Sequence, residues 1–351
     1  MIEAAVLIVM YNGREFLEDC LASVFKSDDP GIQIRVIVID NASTDSSAAL
    51  VREKFPQVDV LPLTENRGFA AANNAGWKFA HEKYPNLEFL VILNHDTIVK
   101  SGWLDALTAH LESKPTCAAA QPKILLWPSK DRINTAGNKS HYLGFGIVTA
   151  YNQPDDGSWD RGHEIDFPSG AALVVRASAI ELAGLFDDEF FLYLEDADLG
   201  WKLRQMGLSV DYVPTAVVWH QYKFQRNYEF YYYLERNRWI LVLTYYRLAT
   251  ILILSPMFAL MELGQFFFAW RNGVLGPKIR SWRHFWCAKN LSHLRRRRRE
   301  AQNRRRISDR EFTCDFVGEI DFAEIQSKTL RMIGNPILKI YWKIVRPLIS
   351  W

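Results

Sequence analysis

Four apolar runs of strand-forming residues, each ending in a polar cluster, constrain this chain more than any other feature. They cover Ala4 to Val9, Arg35 to Ile39, Val58 to Leu63 and Phe89 to Leu93. The clusters that end them are Met10-Tyr11-Asn12-Gly13, Asp40-Asn41-Ala42-Ser43-Thr44-Asp45, Glu65-Asn66-Arg67-Gly68-Phe69 and Asn94-His95-Asp96. Between the runs, apolar residues recur at helical spacing, as at Phe16, Leu17, Leu21, Val24 and Phe25, and a further helix is expected from about Ala70 to Lys83. This β-α-β-α-β-α-β alternation predicts an α/β fold: a Rossmann-like, mostly parallel sheet with helices on both faces. Ligands of such sheets bind beyond the carboxyl ends of the strands, so the four clusters should converge on one edge.

The residue types in the clusters suggest a chemistry. Side chains alternate along an extended chain, so Asn94 and Asp96 should point one way and His95 the other. An oxygen pair at a strand end suits a hard divalent cation, Mg2+ or Mn2+, holding a diphosphate. A polar strand end that caps the next turn would use the same residues. Asp40 could accept the imide proton of a pyrimidine base on which Tyr11 stacks. Equally, Asp40 could cap a helix or turn, and Tyr11 could be a partly buried aromatic. Arg67 could meet phosphates or stay solvated, and Asn66 and Gly68 could be turn residues. No G-x-G-x-x-G follows the first run and no G-x-x-x-x-G-K-[ST] occurs, so dinucleotide and P-loop readings lose their main support.

Three later stretches add candidates. Phe167 to Ala172 places small residues, Ser169 and Gly170 among them, before the run Leu173 to Arg176, where a sugar diphosphate or the sheet itself could come close. Leu194 to Gly207 should be a helix with Leu199, Leu203 and Met206 inward and Gly207 just past its end. Its first-turn acids suit the helix dipole. The aromatic lead-in would also place Asp196 in a partly buried mouth, where a carboxylate can work as a base. Val217 to His220 is a strand ending in a possible metal ligand or a satisfied histidine. Pro128 to Gly162 is expected to be a long loop or ribbon.

Together these motifs carry a resemblance: Asp40-Asn41-Ala42-Ser43-x-Asp45, Glu65-Asn66-x-Gly68-Phe69-Ala70, the strand into Asn94-His95-Asp96, Ser169 to Ala172, and Leu194-Glu195-Asp196-x-Asp198-Leu199, in this order. Over about residues 4 to 240 the chain resembles the family 2 glycosyltransferases, in the branch with rhamnosyl- and galactofuranosyltransferases. The resemblance implies a GT-A fold, with a nucleotide-binding half at about 1–100 and an acceptor half at about 101–238. It implies that Tyr11, Asn12, Asp40, Asn66, Arg67, Gly68, Asn94, Ser169 and Gly170 bind a nucleoside-diphosphate sugar. Asp96, in the place of a D-x-D element, and His220 would bind the metal, and Asp196 with Glu195 would be catalytic. Two departures stand out: Asn94 replaces the first Asp of D-x-D, and Met10 stands where Thr is common.

The remaining third, 239–351, has another character. Net charge over the 351 residues is only +2, but basic residues gather after residue 270. Trp239 to Trp270 is strongly apolar, and two in-plane or re-entrant helices hinged at Pro256 are expected. The Arg295 to Arg306 run is expected to meet anionic lipid headgroups rather than nucleic acid, and Ile337 to Trp351 could be another surface-lying helix. Four scattered cysteines and no signal-peptide pattern suggest an enzyme body in the cytoplasm. The membrane-associating third would place it on the inner face of the cell membrane, and a lipid-linked or glycan acceptor would explain that third. Rival readings are a non-catalytic membrane scaffold with a degenerate fold and an Arg-rich RNA-binding protein.

Overall fold

The apolar runs form β1 (Ile2–Met10), β2 (Ile32–Asp40), β3 (Asp59–Pro62) and β4 (Phe89–Leu93), parallel to one another in the spatial order β4-β1-β2-β3. The linking helices are α1 (Arg14–Lys26), α2 (Ser47–Lys54) and α3 (Gly68–Lys83). β4 is buried along its whole length, as a strand covered on both faces must be. On one face Ala4, Val6 and Ile8 of β1 join a core with Leu17, Leu21 and Val24 of α1. The structure is a computed structural model and describes residues 1–221, 228–321 and 328–351.

After β4 come β5 (Thr97–Val99), α4 (Trp103–Ser113), β6 (Cys117–Leu126), β7 (Ile133–Thr135), β8 (Asn138–Ser140), β9 (Gly146–Val148), β10 (His163–Glu164), β11 (Ala172–Arg176), α5 (Ala177–Ala183), α6 (Glu195–Gln205) and β12 (Ser209–His220). β11 runs antiparallel to both β4 and β6, which makes the ten-stranded sheet mixed. The stretch expected as a long loop or ribbon at 128–162 contains β7, paired with β6, and the separate ribbon β8-β9. Leu199 and Leu203 of α6 are buried, and Gly207 follows the helix at φ +77°.

The chain divides into two units. The sheet unit comprises Met1–Asn138, Val148–Leu203 and Leu208–Lys223; the second comprises Lys139–Ile147, Arg204–Gly207 and Phe224–Trp351. The second unit is built from α7 (Tyr228–Tyr245), α8 (Leu248–Arg271), α9 (Leu275–His284), α10 (Ala288–Arg304), α11 (Asp309–Phe312) and α12 (Asn335–Val345).

The expected hinge at Pro256 is not there: α8 runs unbroken through it. Proline lacks the N–H that would bond the carbonyl four residues back. Here the Ser255 hydroxyl donates to that carbonyl, Leu252 O, at 2.8 Å, and Pro256 lies on the exposed side. The break falls instead between α7 and α8, at Tyr246-Arg247.

The Arg run also differs from expectation. Arg298 donates to Leu243 O and Tyr246 O, Arg305 to Tyr245 O, and Arg297 to Thr244 Oγ1. With Gln302, which reaches Thr244 O and Tyr245 O, Arg298 and Arg305 satisfy the carbonyls left open at the end of α7. Cations there also complement the helix dipole. Arg295, Arg296, Arg299, Arg304 and Arg306 remain exposed.

Candidate functional site

The ends of β1, β2 and β3 are knitted into one edge. Asn41 N donates to Met10 O (2.9 Å), Asn12 N to Ser43 Oγ (3.1 Å), and Thr44 N to Asn12 Oδ1 (2.8 Å). Asp40 accepts from Ser43 N at 2.9 Å, so one of its oxygens closes its own turn. Tyr11 is 49% exposed beside it, with its ring open to a ligand. Buried Asn41 binds the second strand end to the third: its Nδ2 donates to Asn66 Oδ1 and Gly68 O, and its Oδ1 accepts from Arg67 N.

This edge continues directly into the loop before α6. Phe69 N and Ala70 N, at the start of α3, donate to Phe191 O at 2.6 and 3.4 Å. Gly68 sits at φ +75°, and a Cβ there would stand 2.5 Å from Phe191 O. Further along α3, Asn74 Nδ2 donates to Phe186 O (2.9 Å) and Asp188 Oδ1 (2.7 Å), while Asn74 Oδ1 accepts from Phe186 N (3.1 Å). Arg67, a candidate for meeting phosphates, reaches Asp188 at 3.5 Å from an exposed position. Phe191, Tyr193 and Leu194 all have positive φ, at 61°, 68° and 63°. Such conformations cost about 1–3 kcal/mol each and persist only where surrounding structure imposes them.

That strained loop delivers Glu195 and Asp196. Asp196 Oδ2 accepts from Gly170 N at 3.0 Å and its Oδ1 from Ala197 N at 2.7 Å. Burial raises its pKa to about 6, against the opposing pull of those backbone donors. Glu195 is buried, its Oε2 finds no hydrogen-bond partner among the described residues, and burial and the neighbouring Asp196 push its proton affinity well up. One carboxyl of the pair is thus held as the acid while the other can work as a base near neutral pH. Ser169 N donates to Gln121 Oε1 (2.7 Å), and Ser169 Oγ accepts from Ala171 N, which fixes the Gly170 amide against Asp196.

Asn94, His95 and Asp96 do not continue the strand, so the expected alternation fails. β4 stops at Leu93, and Thr97 Oγ1 donates back to Asn94 O at 2.7 Å, closing a turn. The turn leads into β5, which pairs Thr97 with His220 on β12. His220 Nε2 therefore lies 3.3 Å from Asp96 Oδ1. Burial would raise the Asp96 pKa, but His220 and His95 outweigh it and hold the carboxylate below its ordinary range. His220 Nδ1 is 3.1 Å from Asn134 Oδ1 on β7. Asp96 Oδ1 is buried and takes no well-formed hydrogen bond among the described residues. A buried acid oxygen 3.3 Å from an imidazole nitrogen is a donor set that fits a divalent cation. Asn94 N donates to Ala171 O at 2.9 Å, which ties this turn to the Ser169–Ala172 stretch.

Residues from all the sequence candidates thus line one edge of the sheet unit, in three groups: β1–β3 ends, Gly170 with Asp196, and Asp96 with His220. Asn74 and Asn134 belong to the same bonding scheme but were not singled out from sequence, whereas Asn41 and Phe191 lay inside the motif and the aromatic lead-in without a role of their own. A polar residue inside the helical stretch 70–83 was the one available hint, for Asn74.

Comparison with known proteins gives the family. The model described as glycosyl transferase family 2 matches residues 5–172, and that of glycosyl transferase family group 2 matches 89–294, more than half the chain. N-acetylglucosaminyl-diphospho-decaprenol L-rhamnosyltransferase of Mycobacterium tuberculosis is 28% identical over 233 residues, covering 61% of this chain and 75% of that protein. Two solved structures share the fold. GalNAc-T7 with UDP, GalNAc and Mn2+ has a TM-score of 0.56 and 16% identity, over 70% of this chain and 48% of that one. A mannosyltransferase from Pyrobaculum calidifontis with GDP-Man and Mn2+ has a TM-score of 0.50 and 16% identity, over 99% and 88%. With its GT-A sheet and these matches, the chain belongs to the family 2 glycosyltransferases.

Proposed function

We propose that the protein is an inverting, metal-dependent transferase that moves a hexose, rhamnose being the favoured candidate, from a nucleoside-diphosphate sugar to a lipid-linked or polysaccharide acceptor. Its place would be cell-envelope glycan synthesis on the cytoplasmic face of a membrane. The observation that carries this reading is Asp196: a carboxylate held by the Gly170 and Ala197 amides, with its pKa raised to about 6. It is positioned to take the proton of an acceptor hydroxyl as that oxygen attacks the anomeric carbon. The bond from that carbon to the nucleoside diphosphate breaks on the opposite face, so the configuration inverts. Tyr11 would stack on the base and the free capacity of Asp40 would read it. Mg2+ or Mn2+ held by Asp96 and His220 would supply positive charge for the departing diphosphate.

The M. tuberculosis relative is named for transfer of L-rhamnose to a diphospho-decaprenol-linked sugar, which supports both the donor and a membrane-bound acceptor. The decisive experiment is a panel of nucleotide sugars screened for thermal stabilisation with Mn2+, followed by product analysis for anomeric configuration. Stabilisation by no nucleotide sugar, or retention of configuration, would overturn the reading.

A further inference from the structure

The exposed surface of the second unit carries two apolar faces that its own core does not use. Along α8, Leu248, Leu252, Leu260, Leu263, Phe267 and Trp270 point outward, Leu252 being 71% and Trp270 68% exposed. The inward side chains include Leu254, Met257 and Phe258. The one charged residue between Leu248 and Trp270, Glu262, is turned inward onto Arg238 and Lys278. The outward face is therefore free of charge for about 33 Å at 1.5 Å per residue. Exposed apolar patches of that extent mark an interaction surface.

α12 repeats the pattern with a third element. Leu338, Trp342 and Val345 face inward, while Ile337, Ile340, Ile344 and, just beyond the helix, Leu348 stay exposed at helical spacing. Lys339, Lys343 and Arg346 form a separate exposed stripe, with Lys339 paired to Glu319. The two helices are neighbours: Tyr341 donates to Ile253 O at 2.6 Å, and Trp351 Nε1 to Thr250 Oγ1 at 2.9 Å.

We propose that α8 and α12 form one docking surface that lies in the headgroup region of an anionic bilayer, and that the Arg295–Arg306 run is not the docking element. This deepens the membrane reading above and rests on it. An apolar stripe beside a basic one matches acyl chains below and anionic headgroups above. A second copy of this chain would have to bring acids to the same stripe. Spanning is disfavoured, although α8 is long and apolar enough for it. Along its inner side α8 bonds the cationic Arg238 of α7 and Lys278 of α9, and α9 continues through Arg280 and Arg283. Hydrocarbon around α8 would engulf those cations, whereas immersion of one face by about 5–10 Å does not. Three arginines of the run are turned onto α7 carbonyls and side chains and cannot reach a membrane surface without breaking that cap.

The test is co-sedimentation of the full chain with vesicles of phosphatidylcholine, alone or with phosphatidylglycerol, at low and high salt. The expected result is binding to anionic vesicles that persists at high salt. Ile340→Glu/Ile344→Glu, and separately Leu252→Glu/Leu263→Glu, should lower the bound fraction about tenfold or more. Arg295→Gln/Arg296→Gln/Arg299→Gln should change it by less than about twofold. Quenching of wild-type tryptophan fluorescence by brominated lipid, reduced in Trp270→Phe, checks contact without disturbing the fold. Wild-type binding by both apolar-face variants would overturn the proposal, as would loss of binding in the triple arginine variant. So would a dimer that Ile340→Glu/Ile344→Glu dissociates while vesicle binding is unchanged. The vesicles contain no sugar donor or acceptor, so docking is read independently of transfer: docking by a protein that fails the nucleotide-sugar screen would count against the catalytic reading alone.

Discussion

The amide of Phe69 donates to the carbonyl of Phe191 at 2.6 Å, so the first turn of α3 is capped by the loop that leads into the Glu195–Asp196 pair. The start of that helix, Asn66 to Gly68, faces the proposed nucleotide edge, and Asn41 bonds it to the end of β2. Donor edge and proposed base are therefore connected by consecutive hydrogen bonds: Asn41 to Gly68, Phe69 to Phe191, and Gly170 to Asp196. A displacement at one end must bend or break a bond to leave the other unmoved.

Gly68→Ala should show this connection. The new methyl would stand 2.5 Å from Phe191 O, at a backbone φ of +75° that alanine resists. We expect a stability loss of about 1–3 kcal/mol by denaturant titration and a turnover loss larger than that instability explains. Unchanged kcat in a fully folded Gly68→Ala protein would contradict it.

Asp196→Asn keeps the shape of the side chain but removes the base. Turnover should fall by about 10²-fold or more, with donor affinity from calorimetry nearly unchanged. In the wild type, kcat should decline as pH falls through about 6, where Asp196 takes up its proton. Its folded pKa lies above the ordinary 3.8, so between those values the folded protein binds more protons than the unfolded chain. Its contribution to stability is therefore present at low pH and is lost as pH rises through that window. A flat kcat from pH 5 to 8 would assign proton removal to another group.

Asp96→Ala should abolish the part of nucleotide-sugar binding that depends on Mn2+, read by calorimetry with and without chelator. His220→Ala should weaken it as well. Asn134 holds the far side of the His220 ring at 3.1 Å, so Asn134→Leu should cost about 10- to 100-fold in Mn2+ affinity. Asn134→Asp, which retains an acceptor, should lose less. Mn2+ affinity indifferent to all of these changes would remove the metal from this turn.

Arg298→Ala would uncap two carbonyls at the end of α7. The expected cost is about 1–3 kcal/mol, measured by chemical denaturation, against almost none for exposed Arg295→Ala. Equal effects would mean that the run acts as a diffuse charge rather than as a cap.

The parallel half of the sheet was legible because strands covered on both faces are continuous apolar runs, bounded by polar turns. The convergence of Asp40, Asn66 and Asp96 followed from that topology. Legibility stopped where long-range pairing decided the outcome. Nothing local says that Thr97 pairs with His220 and so brings Asp96 to an imidazole. Nor can composition say that Arg297, Arg298 and Arg305 face inward, since a charge run reads alike whether it caps a helix or meets solvent. Pro256 misled for a different reason: the rescuing Ser255 hydroxyl is a detail of one side chain, and average proline behaviour does not contain it.

Glu235, Arg238, Glu262 and Lys278 come from three successive helices, α7, α8 and α9, and are all buried. Their charges cancel only as a set. A shortened chain that ended after α8, a natural place to cut if only the apolar helix were wanted, would keep both acids and a single cation. Stripping one member from a buried ion pair costs about 3–5 kcal/mol, a large fraction of what holds a domain together. The greasy helix and the basic helix after it are thus one indivisible cassette: any boundary drawn for expression or for domain exchange has to fall before Tyr228 or beyond His284.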